Sequence, residues 1–148
     1  MAWKPHFTVA AVVEQNGRYL LVEEQTEEGI RINQPAGHWE PGERLVDAAV
    51  REALEETAHA FAPTHLLGIY NWTRPTGDIT YLRFAFIGTV GESLPGRQLD
   101  EGILRAVWMS YDEMRADASR RRSPLVLRCV EDHRAGRRFP LDLLIHHE

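Results

Sequence analysis

Cysteine is almost missing from these 148 residues: Cys129 stands alone. No intramolecular disulfide can form, so burial must hold the fold together and a reducing compartment suits the chain. A surplus of basic charge is also missing. Seventeen Lys and Arg against 22 Asp and Glu leave a formal charge of −5, which excludes the broad basic face that nucleic-acid binding uses against phosphates. No run of about 18 apolar residues occurs, so a membrane-spanning helix is not expected. The opening Ala2-Trp3-Lys4-Pro5-His6-Phe7 offers no apolar leader, and we read the protein as cytoplasmic. Repeats, low-complexity tracts and interdomain linkers are absent too. With 43% hydrophobic and 26% charged residues, the composition is that of a globular chain, and residues 1–148 are expected to form one domain.

What is present alternates between strand and helix patterns. Phe7–Val13 and Tyr19–Val22 are β-rich and flank Gln15-Asn16-Gly17, which predicts a hairpin. Glu23–Ile30 reads as a loop and Arg31–Gln34 as a short strand. Apolar residues Leu45, Val46, Ala49, Val50 and Ala53 recur at helical period, predicting a helix over 45–57. His65–Trp72 and Ile79–Val90 follow as strands around the turn-rich segment 73–78. Gly91–Gly102 reads as a long polar loop, and Leu104–Met109 as a strand. Ser110 with Glu113 forms a capping-box pattern for the next helix. Ser123, Pro124 and Gly136 punctuate the last one. Cys129 sits there among Leu125, Val126, Leu127 and Val130 and reads as buried packing. A mixed sheet covered by helices on both faces follows.

An acidic protein can still act on small anions if a bound divalent cation reverses the local field. Glu52, Glu55 and Glu56 stand at i, i+3 and i+4 on the predicted helix, which puts three carboxylates on one side of it. Like charges at this spacing cost about 0.2–0.5 kcal/mol per pair unless a cation joins them. Magnesium, or manganese, suits such a set of hard oxygen donors. The triplet alone is more often the mark of a solvated acidic face paired with Arg44 or Arg51. Its wider setting is more specific: Gly37, five residues, Glu43, seven residues, Arg51-Glu52, two residues, Glu55-Glu56. At average composition, six such matches by chance have a probability on the order of 10⁻⁵.

This stretch resembles the box of the Nudix hydrolase family, and the order of strands and helices around it is similar to the Nudix αβα sandwich. The resemblance implies a metal-dependent enzyme cutting phosphoanhydrides. It implies that Glu52, Glu55 and Glu56 serve as metal ligands or the water-activating base, with the base unassigned among them, and that the Ala36 carbonyl completes the coordination. It implies that Arg51 and Glu43 pair to shape the site, and that a later loop supplies a further acid. Asp100 and Glu101 are the candidates there, and Glu101 is taken as the ligand. The family box ends in Gly and an aliphatic residue where this chain has Ala58 and His59. If a left-handed C-cap is needed, Ala58 costs about 1 kcal/mol or the helix runs on.

Further segments, Lys4–Ala10, Asn33–His38, Leu82-Arg83-Phe84, Arg122–Val126 and Arg138–Leu141, are similar to one bacterial branch of the family. That likeness implies nucleoside tri- and diphosphates as substrates, with orthophosphate released, and also the pyrimidine pyrophosphate precursor of thiamine. Other classes stay open: ADP-ribose, oxidised nucleotides, or a silent nucleotide-binding module. For the organic end Trp39, Tyr70 and Trp72 are candidates to stack on a ring, and Arg31 and Arg83 to contact phosphates. The expected partner is thus a small nucleotide or pyrophosphate, not nucleic acid or membrane, and the protein is expected to be a monomer or homodimer.

Overall fold

A computed structural model describes residues 2–148. Along the chain lie β1 (His6–Val12), β2 (Glu14–Gln15), β3 (Arg18–Thr26), β4 (Gly29–Asn33), β5 (Ala36–His38), α1 (Leu45–Thr57), β6 (His59–Thr73), β7 (Thr80–Ser93), β8 (Ile103–Ser110), α2 (Tyr111–Ala116) and α3 (Pro124–Arg134). The strands make two sheets, the first of them mixed, as the sequence predicts, because β1 runs parallel to β7. One has the order β5-β1-β7-β6, and in the other β3 pairs with β2, β4 and β8.

The predicted hairpin is corrected by this topology. Asn16 and Gly17 do turn with positive φ, but the pairing across them joins only the two residues of β2 to β3. β1 pairs with β5 on one edge and runs parallel to β7 on the other. The reason is burial: Val9, Ala10, Ala11, Val12 and Val13 are all at most 1% exposed. A strand apolar on both faces belongs in the middle of a covered sheet. Beyond Val13 the chain passes into the second sheet, where the Leu20 amide donates to the Val13 carbonyl at 3.0 Å.

The loop expected over 23–30 is also corrected. β3 runs on to Thr26 and turns at Glu27-Glu28 into β4. Its acidic residues are compatible with a strand because cations meet them. Glu23 accepts from Arg105 of β8 at 2.5 Å and from Arg120 at 2.7 Å, and those bonds hold its carboxyl below the usual range.

The period-2 alternation of β1 divides the core. Val9, Ala11 and Val13, with Phe84 and Phe86 of β7, face Ala48, Ala49 and Ala53 of α1. Ala10 and Val12, with Ala85 and Ile87, face Met114 of α2 and Val126, Cys129 and Val130 of α3. Burying a side chain such as Phe86 completely contributes about 1.5–3 kcal/mol. The αβα layering expected from the sequence is therefore present, with Cys129 buried in its second layer.

Helix punctuation follows the sequence closely. Ser110 accepts from the Glu113 amide at 3.1 Å while Glu113 accepts from the Ser110 amide at 3.0 Å, closing the capping box of α2. Ser123 accepts from the Leu125 amide at 3.1 Å to start α3. α1 ends at Thr57, and Ala58 adopts φ 60 and ψ 19 with its amide donating to the Leu54 carbonyl at 3.0 Å. The helix does not run on; an alanine holds the left-handed cap. A β-carbon in that region is strained, and glycine relieves it. Ala58→Gly is expected to raise stability by about 0.5–1 kcal/mol, or about 1–4 °C in Tm. Thermal unfolding of the two proteins checks this, and a lower Tm in the variant contradicts it.

Candidate active site

α1 carries the predicted glutamates to the outer side of β5, and the structure divides them into two settings. Carboxylate oxygens of Glu52 and Glu55 lie within 4.8 Å of each other and of an oxygen of Asp100. Glu56, 8% exposed, lies outside that trio but close enough for Glu52 and Asp100 to act on its charge. It accepts from the Ala36 amide at 2.9 Å. Of the two later-loop candidates, Asp100 joins the cluster and Glu101 does not. Asp100 reaches the cluster because its amide donates to the Glu55 carbonyl at 3.0 Å, docking the loop on α1. Glu101 begins the exposed turn that leads into β8 and joins no cluster.

Arg51 sits at the centre of this arrangement. Its Nε and Nη2 donate to the two oxygens of Glu43 at 3.0 and 2.8 Å, the bidentate pair expected. Nη2 also donates to the His38 carbonyl at 3.0 Å, and Nη1 to Glu52 at 2.8 Å and Glu55 at 3.3 Å. Glu40 stands 3.5 Å from Nη1. Glu43 is held in turn by the Glu40 amide at 2.9 Å, and its carbonyl accepts from the Trp39 indole at 2.7 Å. Neither Glu40 nor this second set of anchors is signalled by the sequence, because they lie in a loop without periodicity.

The electrostatics follow from burial. The hydrogen bonds from Arg51 hold the Glu43 carboxyl below its ordinary range. Burial pushes the Glu52 carboxyl up despite Arg51, and burial, then Asp100, pushes Glu55 up. Glu56 is pushed up to about 8, by burial first, with the Ala36 amide opposing the shift. Gly37 packs against Glu52 so closely that a β-carbon there would collide with the carboxyl group. Three oxygen donors of like charge crowded together, two of them with raised proton affinity, Glu52 and Glu55, fit a hard divalent cation that would take the protons' place.

The predicted substrate residues separate into several places. Trp39 is beside the cluster, 44% exposed and edge-on to Phe7. Tyr70 and Trp72 line a groove of about 380 Å³ between β6 and α3, together with Ile69, Asn71, Pro124, Leu125 and Arg128. There Tyr70 donates to Asp132 at 2.8 Å, and Trp72 stacks on its cross-strand partner Tyr81 at 5.9 Å. Arg31 of β4 is spent on the Ile30 carbonyl and on Glu28 at 3.8 Å and lines neither place. Arg83 is buried in the sheet with Asn33 and Gln34.

Comparison with known proteins agrees with this geometry. A family model described as "NUDIX domain" matches residues 4–129. Over 142 residues the chain is 39% identical to Phosphatase NudJ of Escherichia coli K12, covering 96% of this chain and 92% of that one. A solved NUDIX hydrolase from Nitrosomonas europaea superposes with a TM-score of 0.94 at 54% identity, covering 97% of this chain and 98% of that one. A MutT NUDIX hydrolase from Burkholderia pseudomallei, at 16% identity and TM-score 0.74 over 88% of this chain and 98% of its own, shares the fold.

Two outcomes follow. Gly37→Ala displaces the flexible end of Glu52 and not backbone, so the variant is expected to fold with nearly unchanged Tm while magnesium binding by calorimetry weakens about tenfold or more. Unchanged affinity would show that the position of Glu52 is immaterial. In metal-free protein, Glu56 is protonated when folded and ionised when unfolded between pH about 4.5 and about 8. The native state then binds more protons, so stability present below pH 4.5 is lost as pH rises through 8. Glu56→Gln keeps the acceptor for Ala36 and should flatten that decline by roughly a few kcal/mol, read by urea unfolding in EDTA at pH 5 and 8.5. Parallel pH curves for the two proteins would refute it.

Proposed function

This chain belongs to the NUDIX family of hydrolases, and on that footing we propose that it is a cytoplasmic, magnesium-dependent phosphoanhydride hydrolase. Its substrates are nucleoside tri- and diphosphates and the pyrimidine pyrophosphate precursor of thiamine, with orthophosphate released. The observation that carries this reading is the Glu52, Glu55 and Asp100 cluster braced by Arg51. The relative named as a phosphatase, alike over nearly the whole chain, supports the same reaction class.

Glu52, Glu55 and Asp100 would hold magnesium or manganese, with Glu56 and the Ala36 carbonyl as further oxygen donors. When bound, the ion neutralises charge on phosphate oxygens and activates water. The chain's own residues do the positioning. Arg51, fixed by Glu43 and the His38 carbonyl, sets the spacing of Glu52 and Glu55. Glu56 suits proton transfer, since one oxygen rests on the Ala36 amide and its proton affinity lies near neutral pH. Trp39, at the rim, offers a flat surface to the organic part.

The test is phosphate release with and without magnesium from nucleoside tri- and diphosphates, thiamine-related pyrophosphates and ADP-ribose, with pyrophosphatase added in a parallel set. Direct, magnesium-dependent orthophosphate release is expected from the first three. Glu55→Gln and Glu56→Gln should each lower turnover by orders of magnitude while circular dichroism stays native. ADP-ribose cleavage or pyrophosphate release would move the assignment elsewhere in the family, and unchanged turnover in the variants would remove the metal role.

A further inference from the structure

A second cavity, of about 420 Å³, opens at the opposite end of α3 from the Tyr70 groove. It lies between the β2–β3 turn, the start of α2 and the last residues of α3, and Glu14, Tyr19, Tyr111, Asp112, His133 and Arg134 line it. The carboxylate cluster is remote from it, on α1 across the sheet. Tyr19 is the buried member of the lining, 4% exposed, and its hydroxyl stands 2.6 Å from Nδ1 of His133.

The direction of that hydrogen bond is fixed from behind the ring. His133 Nε2 lies 3.3 Å from Nη2 of Arg138. A guanidinium carries donors only, so Nε2 must accept, and in the neutral imidazole the proton then sits on Nδ1. Burial, then Arg138, pushes the ring toward that neutral form. Nδ1 therefore donates to the Tyr19 oxygen. The O–H of Tyr19 itself is left without an acceptor among the described residues, and the phenol keeps its proton because burial, then Glu14, pushes it up. A buried donor without a partner is costly, and this one calls for an acceptor from outside the chain.

Charges of both signs surround it with capacity left over. Arg134, whose guanidinium rests 4.1 Å from the centre of the Tyr111 ring, takes part in no ion pair among the described residues, and neither do Glu14 and Asp112. Glu14 gives Oε1 to the Gly17 amide at 2.9 Å and has a second oxygen to offer. A simple anion would satisfy Tyr19 and Arg134 but be repelled by two carboxylates, and a simple cation would leave the Tyr19 donor unmet. A ligand carrying a carboxylate and an ammonium group satisfies all four residues.

We propose that this cavity binds a free amino acid, whose carboxylate accepts from Tyr19 and Arg134 and whose ammonium group meets Glu14 and Asp112. Its volume falls in the range of small-molecule sites. The proposal is independent of the hydrolase reading.

Long-range nitrogen-15 to proton NMR correlation of the histidine rings in the wild-type protein reads the His133 tautomer directly. The Nδ1–H form is expected; the Nε2–H form overturns the proposal, because Tyr19 would then donate to Nδ1 and have nothing left for a ligand. An equimolar, millimolar pool of the protein amino acids is then added, with sodium sulfate and methylamine in separate samples. A saturable shift of the His133 ring nitrogens is expected with the pool and not with either simple ion, and single amino acids then identify the ligand. No shift with the pool, or an equal shift with sulfate or methylamine, refutes the amino-acid site. Tyr19→Phe removes the hydroxyl and keeps the ring; it should weaken binding of the identified amino acid about tenfold while phosphate release is unchanged. Equal affinity in the folded variant would also count against the proposal.

Discussion

The guanidinium of Arg51 is the contact on which the candidate site depends. It reaches Glu43, Glu52, Glu55 and the His38 carbonyl at once, and so joins α1, the loop before it and the end of β5. Glu52 and Glu55 are pushed toward protonation by burial first and then by neighbouring carboxylates, Asp100 among them for both; Arg51 opposes this for both. A planar, permanently charged fork is needed, because a lysine cannot address this many oxygens from one position. The neutral layers on either side are ordinary hydrophobic packing, but they fix where this fork can sit.

The segment 33–37 transmits that order across the sheet. Asn33 and Gln34 hold Arg83, and the Gln34 amide nitrogen donates to the Val126 carbonyl of α3 at 2.7 Å. Two residues beyond Gln34, Ala36 holds Glu56, and Gly37 makes room for Glu52. Five consecutive residues therefore touch both helical layers. A polar strip of this kind is stable only when its groups are satisfied, and Arg83 is the member whose charge is not.

Much of this was legible in the sequence, for local reasons. The bounds of α1 follow from its 3.6-residue period, and the caps at Ser110 and Ser123 follow from hydroxyls that satisfy free amides. The bidentate Glu43–Arg51 pair followed from family likeness. What was missed is long-range. Nothing near Phe7–Val13 says that its edges are taken by β5 and β7 and not by the strand after Asn16-Gly17. Asp100 and Glu101 are equivalent in a loop without periodicity, and only the docking of the Asp100 amide on α1 separates them. Arg83 was readable in principle: it shares strand parity with the buried Ala85 and Ile87, which places it on the α3 face.

The two-sided burial of β1 has a consequence for how such a protein diversifies. Substitutions that reshape the groove beside α3 meet Ala10 and Val12, while those that disturb the glutamates meet Val9 and Ala11 on the opposite side. Because neighbouring residues of one strand point to separate halves of the core, the packing beside α3 and the packing behind the glutamates are under nearly independent mutational control. Descendants of this chain can repack the α3 side without displacing the carboxylates, and the same independence lets a designer vary one face as a library while the other is kept constant.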